Sequence, residues 1–155
     1  MITIGIEGTA HTLGIGIVSS DGQVLVNLKR EFVPKSGGIH PREASEYHSQ
    51  NMSNLLKEAL EKAQLKVQDI DLFAFSQGPG LGPCLRNVAI VSRALSISQK
   101  KPLIGVNHCL AHVEIGRLVS KAKDPVTLYV SGGNTLITAY ENHRYRIFGE
   151  TLDIP

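Results

Sequence analysis

A three-strand pattern occurs twice in this 155-residue sequence, and the repetition restricts the fold more than any other feature. The first copy is a series of short β-rich runs at residues 2–6, 13–18 and 24–29. Asp21-Gly22 separates the last two runs, and such a pair between apolar segments is a strong hairpin signal. The second copy, residues 127–148, repeats the order of strand, small-residue loop, strand, polar turn and strand. The sequence therefore predicts two β-meanders, one at the start of each of two related lobes.

Helical and strand patterns alternate between the two meanders. A long helix is predicted from Pro41, a second helix from Pro83 to about Ser98, and apolar strands at residues 70–76 and 103–106. The first helix has one apolar face, made of Ala44, His48, Met52, Leu55, Leu56, Ala59 and Ala63. This order predicts an α/β fold with a mixed sheet and flanking helices, in which strand 70–76 is buried on both faces if helices cover both. We expect a first lobe over residues 1–122 and the incomplete start of a second over 123–155, after a charged linker at 121–124.

Four polar residues lie near the start of the first helix. His40, Arg42, Glu43 and His48 could be functional, but an exposed helix end with ordinary capping charges is the interpretation that the sequence favours.

Two histidines four residues apart are the strongest indication of chemistry. His108 and His112 would project from one face of a helix about a turn apart, where both could bind one metal ion. Asn107 precedes them and is a suitable N-cap, and the positive end of the helix dipole keeps both imidazoles neutral, as metal binding requires. Two histidines packed against a sheet would show the same spacing. A zinc or iron site would also need a third and usually a fourth ligand.

Small-residue loops follow the first strand of both meanders. Glu7-Gly8-Thr9 corresponds to the segment from Ser131 through Gly132 and Gly133 to Thr135. Two matched loops can hold the phosphates of a nucleotide with backbone amides and hydroxyls rather than with a lysine. A third loop, from Gly78 to Pro83, could bring backbone N–H groups close to an anion at a helix N-terminus. It lacks the Lys-Ser or Lys-Thr pair of a Walker loop. A tight turn capped by Pro83 would show the same sequence.

Composition excludes some alternatives. The chain is 42% hydrophobic and 19% charged, as expected for a globular protein, and its net charge of +2 provides no broad basic field for nucleic acid. Its two cysteines, Cys84 and Cys109, lack a CxxC pattern and suit a reducing compartment. We find no signal-peptide pattern and no membrane-spanning run, so we expect a cytoplasmic protein with no membrane partner.

The second meander is followed by few residues. Its sheet has apolar side chains to bury, and we expect this cover to come from further chain or from a partner.

The motifs together resemble one family, the archaeal and eukaryotic branch of the tRNA N6-adenosine threonylcarbamoyltransferases, the catalytic subunit of the KEOPS complex, formerly named glycoproteases. The resemblance covers essentially the whole chain, and the chain looks like the N-terminal half of such a protein. The motifs that carry it are residues 5–10, 40–44, 76–83, 105–108 and 115–116, then Leu128 to Thr135, and Gly149 to Asp153.

The resemblance implies the duplicated fold of actin, Hsp70 and the sugar kinases. It implies one iron or zinc ion held by His108 and His112, with Tyr129 near or on the metal and an Asp from the C-terminal half. It also implies that Tyr129, Val130, Ser131, Gly132, Gly133 and Asn134 contact ATP or threonylcarbamoyl-AMP. The catalytic residues beyond the metal site are not identified by the resemblance.

The implied activity is transfer of the threonylcarbamoyl group to the adenosine beside the anticodon of tRNAs that read codons beginning with A. The implied partners are tRNA, a small dimerisation protein on the first-lobe helices, and an atypical protein kinase subunit. We expect residues 1–155 alone to be inactive. Two alternatives are a non-catalytic scaffold of the same fold, which need not keep the histidine pair, and a sugar or acetate kinase, which would need a catalytic carboxylate in its cleft.

Four positions depart from the family pattern. They are Ser45, Tyr47, Asn87 and Leu136, where Ala, His, Val and Gln are common.

Overall fold

The structure is a computed structural model that describes residues 1–152, so Asp153 of the last motif lies outside the described residues. The chain forms two compact units, Met1–His108 and Cys109–Pro155. The helix that carries the histidine pair thus begins at the end of the first unit and continues in the second. The lobe boundary that we expect near residue 122 remains a prediction.

The first unit contains a mixed five-stranded sheet. Its strands are β1 (Ile2–Glu7), β2 (Thr12–Ser19), β3 (Val24–Glu31), β4 (Leu72–Gly78) and β5 (Leu103–Asn107). They lie in the order β3-β2-β1-β4-β5, with β1, β2 and β3 antiparallel and β1, β4 and β5 parallel to one another. The predicted meander and mixed sheet are therefore confirmed, and the β2–β3 turn uses Gly22 at a φ of 88°.

Two helices, α1 (Pro41–Ala63) and α2 (Gly82–Gln99), pack against this sheet and against each other. The α1 helix contacts β2 and β3, and α2 contacts β4. The core lies between this helical layer and the alternate side chains of the strands, such as Ile4, Ile15 and Phe73. Along β4 the buried Phe73 and Phe75 alternate with the half-buried Leu72 and Ala74, so one face is buried more deeply than the other; burial of both faces was expected only if helices covered both.

His48 agrees with its place on the predicted apolar face of α1 and corrects the expectation that it belongs to an exposed helix end. Its side chain is fully buried at 0% exposure, because it lies on the apolar face of α1 and not at an exposed helix end. Burial lowers the pKa of His48 and keeps the imidazole neutral.

Two of the four departures from the family pattern form one contact. The Asn87 side chain of α2 donates from Nδ2 to the Ser45 carbonyl at 2.7 Å and to Ser45 Oγ at 3.0 Å. The two departures therefore meet in one hydrogen-bonded contact between α1 and α2. Tyr47, a third departure, packs against the ring of Phe32.

The second unit consists of a helix and a three-stranded sheet. The helix is α3 (His108–Ser120), and the strands are β6 (Thr127–Val130), β7 (Asn134–Glu141) and β8 (Arg144–Leu152). Both strand pairs are antiparallel, which confirms the predicted second meander. Asn142 and His143 form the β7–β8 turn with φ values of 50° and 63°, the left-handed region that a two-residue hairpin turn requires. No helix of residues 1–152 is long and apolar enough to cross a membrane.

The central strands β2 and β7 allow a matched stability comparison. Both have eight residues and an antiparallel partner on each side, but they differ in what they bury. The buried face of β2 holds three large aliphatic residues, Leu13, Ile15 and Ile17, at 0–1% exposure, whereas that of β7 holds Leu136 at 9% and the polar Thr138 at 4%. Local opening is easier where fewer apolar contacts are lost. We expect amide hydrogen exchange in the 155-residue chain to be about tenfold or more faster in β7 than in β2. Equal protection would show that the second sheet is as stable as the first.

Candidate functional site

The first small-residue loop is held by its own side chains. Glu7 ends β1, and its Oε1 accepts hydrogen bonds from the Thr9 N–H at 2.8 Å and the Thr9 hydroxyl at 2.6 Å. The Gly8 N–H donates to Ser76 Oγ at 3.2 Å, which joins the loop to β4. The loop is thus a fixed turn between the antiparallel strands β1 and β2, and it is tied to β4, the parallel neighbour of β1.

The loop after β4 packs directly on the first loop. The Leu81 N–H donates to the Thr9 carbonyl at 2.6 Å, and a Cβ on Gly80 would lie 2.6 Å from the same carbonyl oxygen. Only a glycine permits this approach of the two backbones. The loop therefore serves as a close-packed turn, which was one of the two interpretations left open by its sequence.

The first histidine of the pair lies beside this region. His108 is the first residue of α3 and follows β5 directly, as predicted, and its Nδ1 is 4.0 Å from Glu7 Oε1. Sequence reasoning did not identify Glu7 as a neighbour of His108. The available signal was topological: both residues lie at the carboxyl ends of parallel strands, which meet at one edge of a sheet.

The second histidine lies one helical turn further along, near Tyr129. The ring centroids of His112 and Tyr129 are 5.9 Å apart. Burial raises the pKa of Tyr129, and a hydrogen bond with Cys109 raises it further, while a hydrogen bond with Ser131 acts in the opposite direction. The structure thus brings Tyr129 beside His112, with the tyrosine in its neutral form.

The donor set is compatible with a metal but incomplete in this part of the chain. Two imidazoles and a phenol are suitable ligands for iron or zinc. Residues 1–152 contain no group of three or more His, Cys, Asp or Glu residues that could hold a metal ion. Any metal held here would need a further ligand.

The second small-residue loop is organised by one serine. Ser131 Oγ accepts the N–H groups of Gly133 at 3.2 Å and Asn134 at 3.1 Å and contacts the Asn134 carbonyl and amide oxygens at 2.9 Å each. Within residues 1–152, no heavy atom other than those of the adjoining residues lies within 4 Å of the Cβ position of either Gly132 or Gly133. The tip of the loop is therefore open, and another molecule can approach its backbone closely.

Comparisons with known proteins identify the family. The family model described as tRNA N6-adenosine threonylcarbamoyltransferase matches residues 23–155. A tRNA N6-adenosine threonylcarbamoyltransferase from Thermococcus sibiricus is 58% identical over 99% of this chain and 47% of its own length. A probable bifunctional tRNA threonylcarbamoyladenosine biosynthesis protein from Methanosphaera stadtmanae is also 58% identical, over 99% of this chain and 29% of its own length. The chain thus spans less than half the length of these curated relatives.

Two solved structures show the fold. YeaZ from Pseudomonas aeruginosa has a TM-score of 0.67 at 14% identity, covering 98% of this chain and 68% of that one. A putative N-acetylmannosamine kinase from Listeria monocytogenes has a TM-score of 0.57 at 15% identity, covering 94% of this chain and 49% of that one. These likenesses confirm the predicted fold class, the α/β fold of actin and the sugar kinases. By the match of its sequence, the chain belongs to the tRNA N6-adenosine threonylcarbamoyltransferase family.

Proposed function

We propose that this chain is part of an enzyme that transfers the threonylcarbamoyl group of threonylcarbamoyl-AMP to tRNA. The acceptor is the adenosine beside the anticodon in tRNAs that read codons beginning with A. The observation that carries this proposal is 58% identity, along nearly the whole chain, to a relative named for this transfer. Because the chain spans under half of that relative, the activity is proposed for a protein of full family length.

His108, His112 and Tyr129 are the residues that we propose for the metal site, with iron or zinc as the metal. The helical spacing of the two histidines and the approach of Tyr129 to His112 support this assignment. A carboxylate from the remainder of the family protein would complete the ligand set. The bound ion would supply a Lewis acid that polarises the carbamoyl carbonyl.

Tyr129, Val130, Ser131, Gly132, Gly133 and Asn134 are the residues that we propose for contact with ATP or threonylcarbamoyl-AMP. The open backbone at Gly132 and Gly133 supports this role, since a nucleotide phosphate can approach it without steric hindrance. Ser131 would contribute indirectly, because its hydroxyl holds the turn in shape.

We also propose the partners and the compartment. The tRNA is the acceptor, the small dimerisation protein of KEOPS docks on α1 and α2, and the atypical protein kinase subunit binds the full-length protein. Exposed apolar side chains on α2, Ile90 at 57% and Ile97 at 76%, support a docking surface there. The cytoplasm is the proposed compartment.

The function is tested by reconstitution. A full-length family protein that carries this segment, loaded with metal and combined with its partner subunits, should modify tRNA when supplied with threonylcarbamoyl-AMP. Modified adenosine is measured by mass spectrometry of digested tRNA. A tRNA with another base beside the anticodon serves as the control. Modification of both tRNAs, or of neither, would contradict the proposal.

Gly133→Val tests the nucleotide loop. Apart from the chain neighbours of Gly133, no atom of residues 1–152 lies within 4 Å of its Cβ position, so a Cβ has room there and we expect the effect of the substitution to fall on the ligand. We expect the full-length protein to bind ATP at least about tenfold more weakly, a loss of about 1.4 kcal/mol, with unchanged metal content. Isothermal titration measures the affinity. Gly116→Ala, at another uncrowded glycine on α3, is the control, and unchanged affinity for ATP in Gly133→Val would make the loop an ordinary turn.

A further inference from the structure

The Glu7 carboxylate occupies a defined position. Two donors of Thr9, the backbone N–H and the hydroxyl, bind the same oxygen, Oε1, at 2.8 and 2.6 Å. The side chain of Glu7 is 37% exposed, so it is partly withdrawn from water. A carboxylate with two hydrogen bonds on one oxygen has little freedom to rotate.

Thr9 is itself fixed by the protein core. It is 5% exposed, and its carbonyl accepts the Leu81 N–H at 2.6 Å. Gly80 packs against the backbone of Thr9, as described above. The position of the Glu7 carboxylate is therefore set by the two loops at the carboxyl ends of β1 and β4.

Glu7 faces one particular nitrogen of His108. The distance between Glu7 Oε1 and His108 Nδ1 is 4.0 Å, longer than a hydrogen bond but near enough for one to form with the carboxylate after a small rotation of the His108 side chain. The His108 side chain is 23% exposed. Histidines that bind metals almost always donate their other ring N–H to a carboxylate, a carbonyl or water.

We propose that Glu7 is a positioning residue for His108. It accepts the Nδ1–H of the neutral imidazole, which selects the tautomer whose Nε2 lone pair is available to a metal. The carboxylate also increases the basicity of the imidazole as a ligand. This inference rests on the proposed metal site and adds to it a residue outside the histidine pair.

Metal affinity tests the role without reference to activity. In the full-length protein we expect Glu7→Gln to weaken zinc binding by about 10–100-fold, measured by competition with a chromophoric chelator. The control Glu46→Gln removes the same charge from an exposed position on α1 and should leave the zinc affinity unchanged. His112→Ala, measured in the same way, separates a failure of the proposed metal site from a failure of the proposed role of Glu7. Zinc retained in His112→Ala contradicts the metal site, whereas zinc lost there but unchanged in Glu7→Gln contradicts only the role of Glu7.

The tautomer of His108 provides a second measurement that does not depend on the folding of a variant. Nitrogen-15 chemical shifts of the metal-free wild-type protein should show His108 protonated at Nδ1. Where Glu7→Gln folds, we expect a greater population of the form protonated at Nε2. A metal-free wild type with the proton on Nε2 would overturn the inference.

Discussion

His108→Ala and His112→Ala should each lower the metal content of the full-length protein and abolish threonylcarbamoyl transfer. Each substitution removes one ligand of the proposed site, and losing the ion removes the Lewis acid itself. We expect the double variant to retain less than about a tenth of the wild-type metal, measured by plasma mass spectrometry of the dialysed protein, since loss of a single protein ligand already leaves an incomplete site. Transfer to tRNA in the same preparations should fall to background.

The control is a histidine of the second unit that we place outside the site. His143 lies in the β7–β8 turn with a φ of 63°, a conformation that asparagine also tolerates. His143→Asn should keep both its metal and its activity. Unchanged metal in the double variant of His108 and His112 would disprove the site, whatever happens to transfer.

Local patterns predicted most of the secondary structure. The Asp21-Gly22 turn and the alternating apolar residues around it specify the first meander because side-chain periodicity and turn chemistry agree there. The apolar face of α1 was predicted for the same reason, and His48 belongs to it by spacing. The expectation of exposure failed because a histidine was judged by its polarity, whereas a neutral imidazole can be buried on an apolar face.

Contacts between strands distant in the sequence were less predictable. Glu7 and His108 are about one hundred residues apart, and they meet only because β1 and β5 both run parallel to β4. Local sequence patterns do not specify which strands are neighbours in the sheet, so the proximity of Glu7 to His108 could be seen only in the structure. The resemblance implied only that Tyr129 lies near or on the metal; the approach of its ring to His112 comes from the structure, and spacing alone did not predict it.

Gly80→Ala should destabilise the protein and disturb the position of Glu7. The added Cβ would lie 2.6 Å from the Thr9 carbonyl oxygen and 3.0 Å from the Thr9 Cα, so the methyl group meets backbone and not a flexible side chain. Overpacking of this kind costs about 1–3 kcal/mol. Thermal unfolding, followed by circular dichroism, should show a melting temperature lower by roughly 2–4 °C for each kcal/mol lost.

Gly82→Ala provides the matched control because Gly82 follows in the same segment, and in the described part of the chain no atom outside its own helical turn and neighbours lies within 4 Å of its Cβ position. It is the first residue of α2, where alanine is at least as favourable as glycine. The melting temperature of Gly82→Ala should therefore equal or exceed that of the wild type.

Since Thr9 holds the Glu7 carboxylate, Gly80→Ala should also weaken zinc binding in the full-length protein, as Glu7→Gln is expected to do. If Gly80→Ala were as stable as Gly82→Ala, the Thr9 loop could move aside, and the Glu7 carboxylate would not be held by the packing of the two loops.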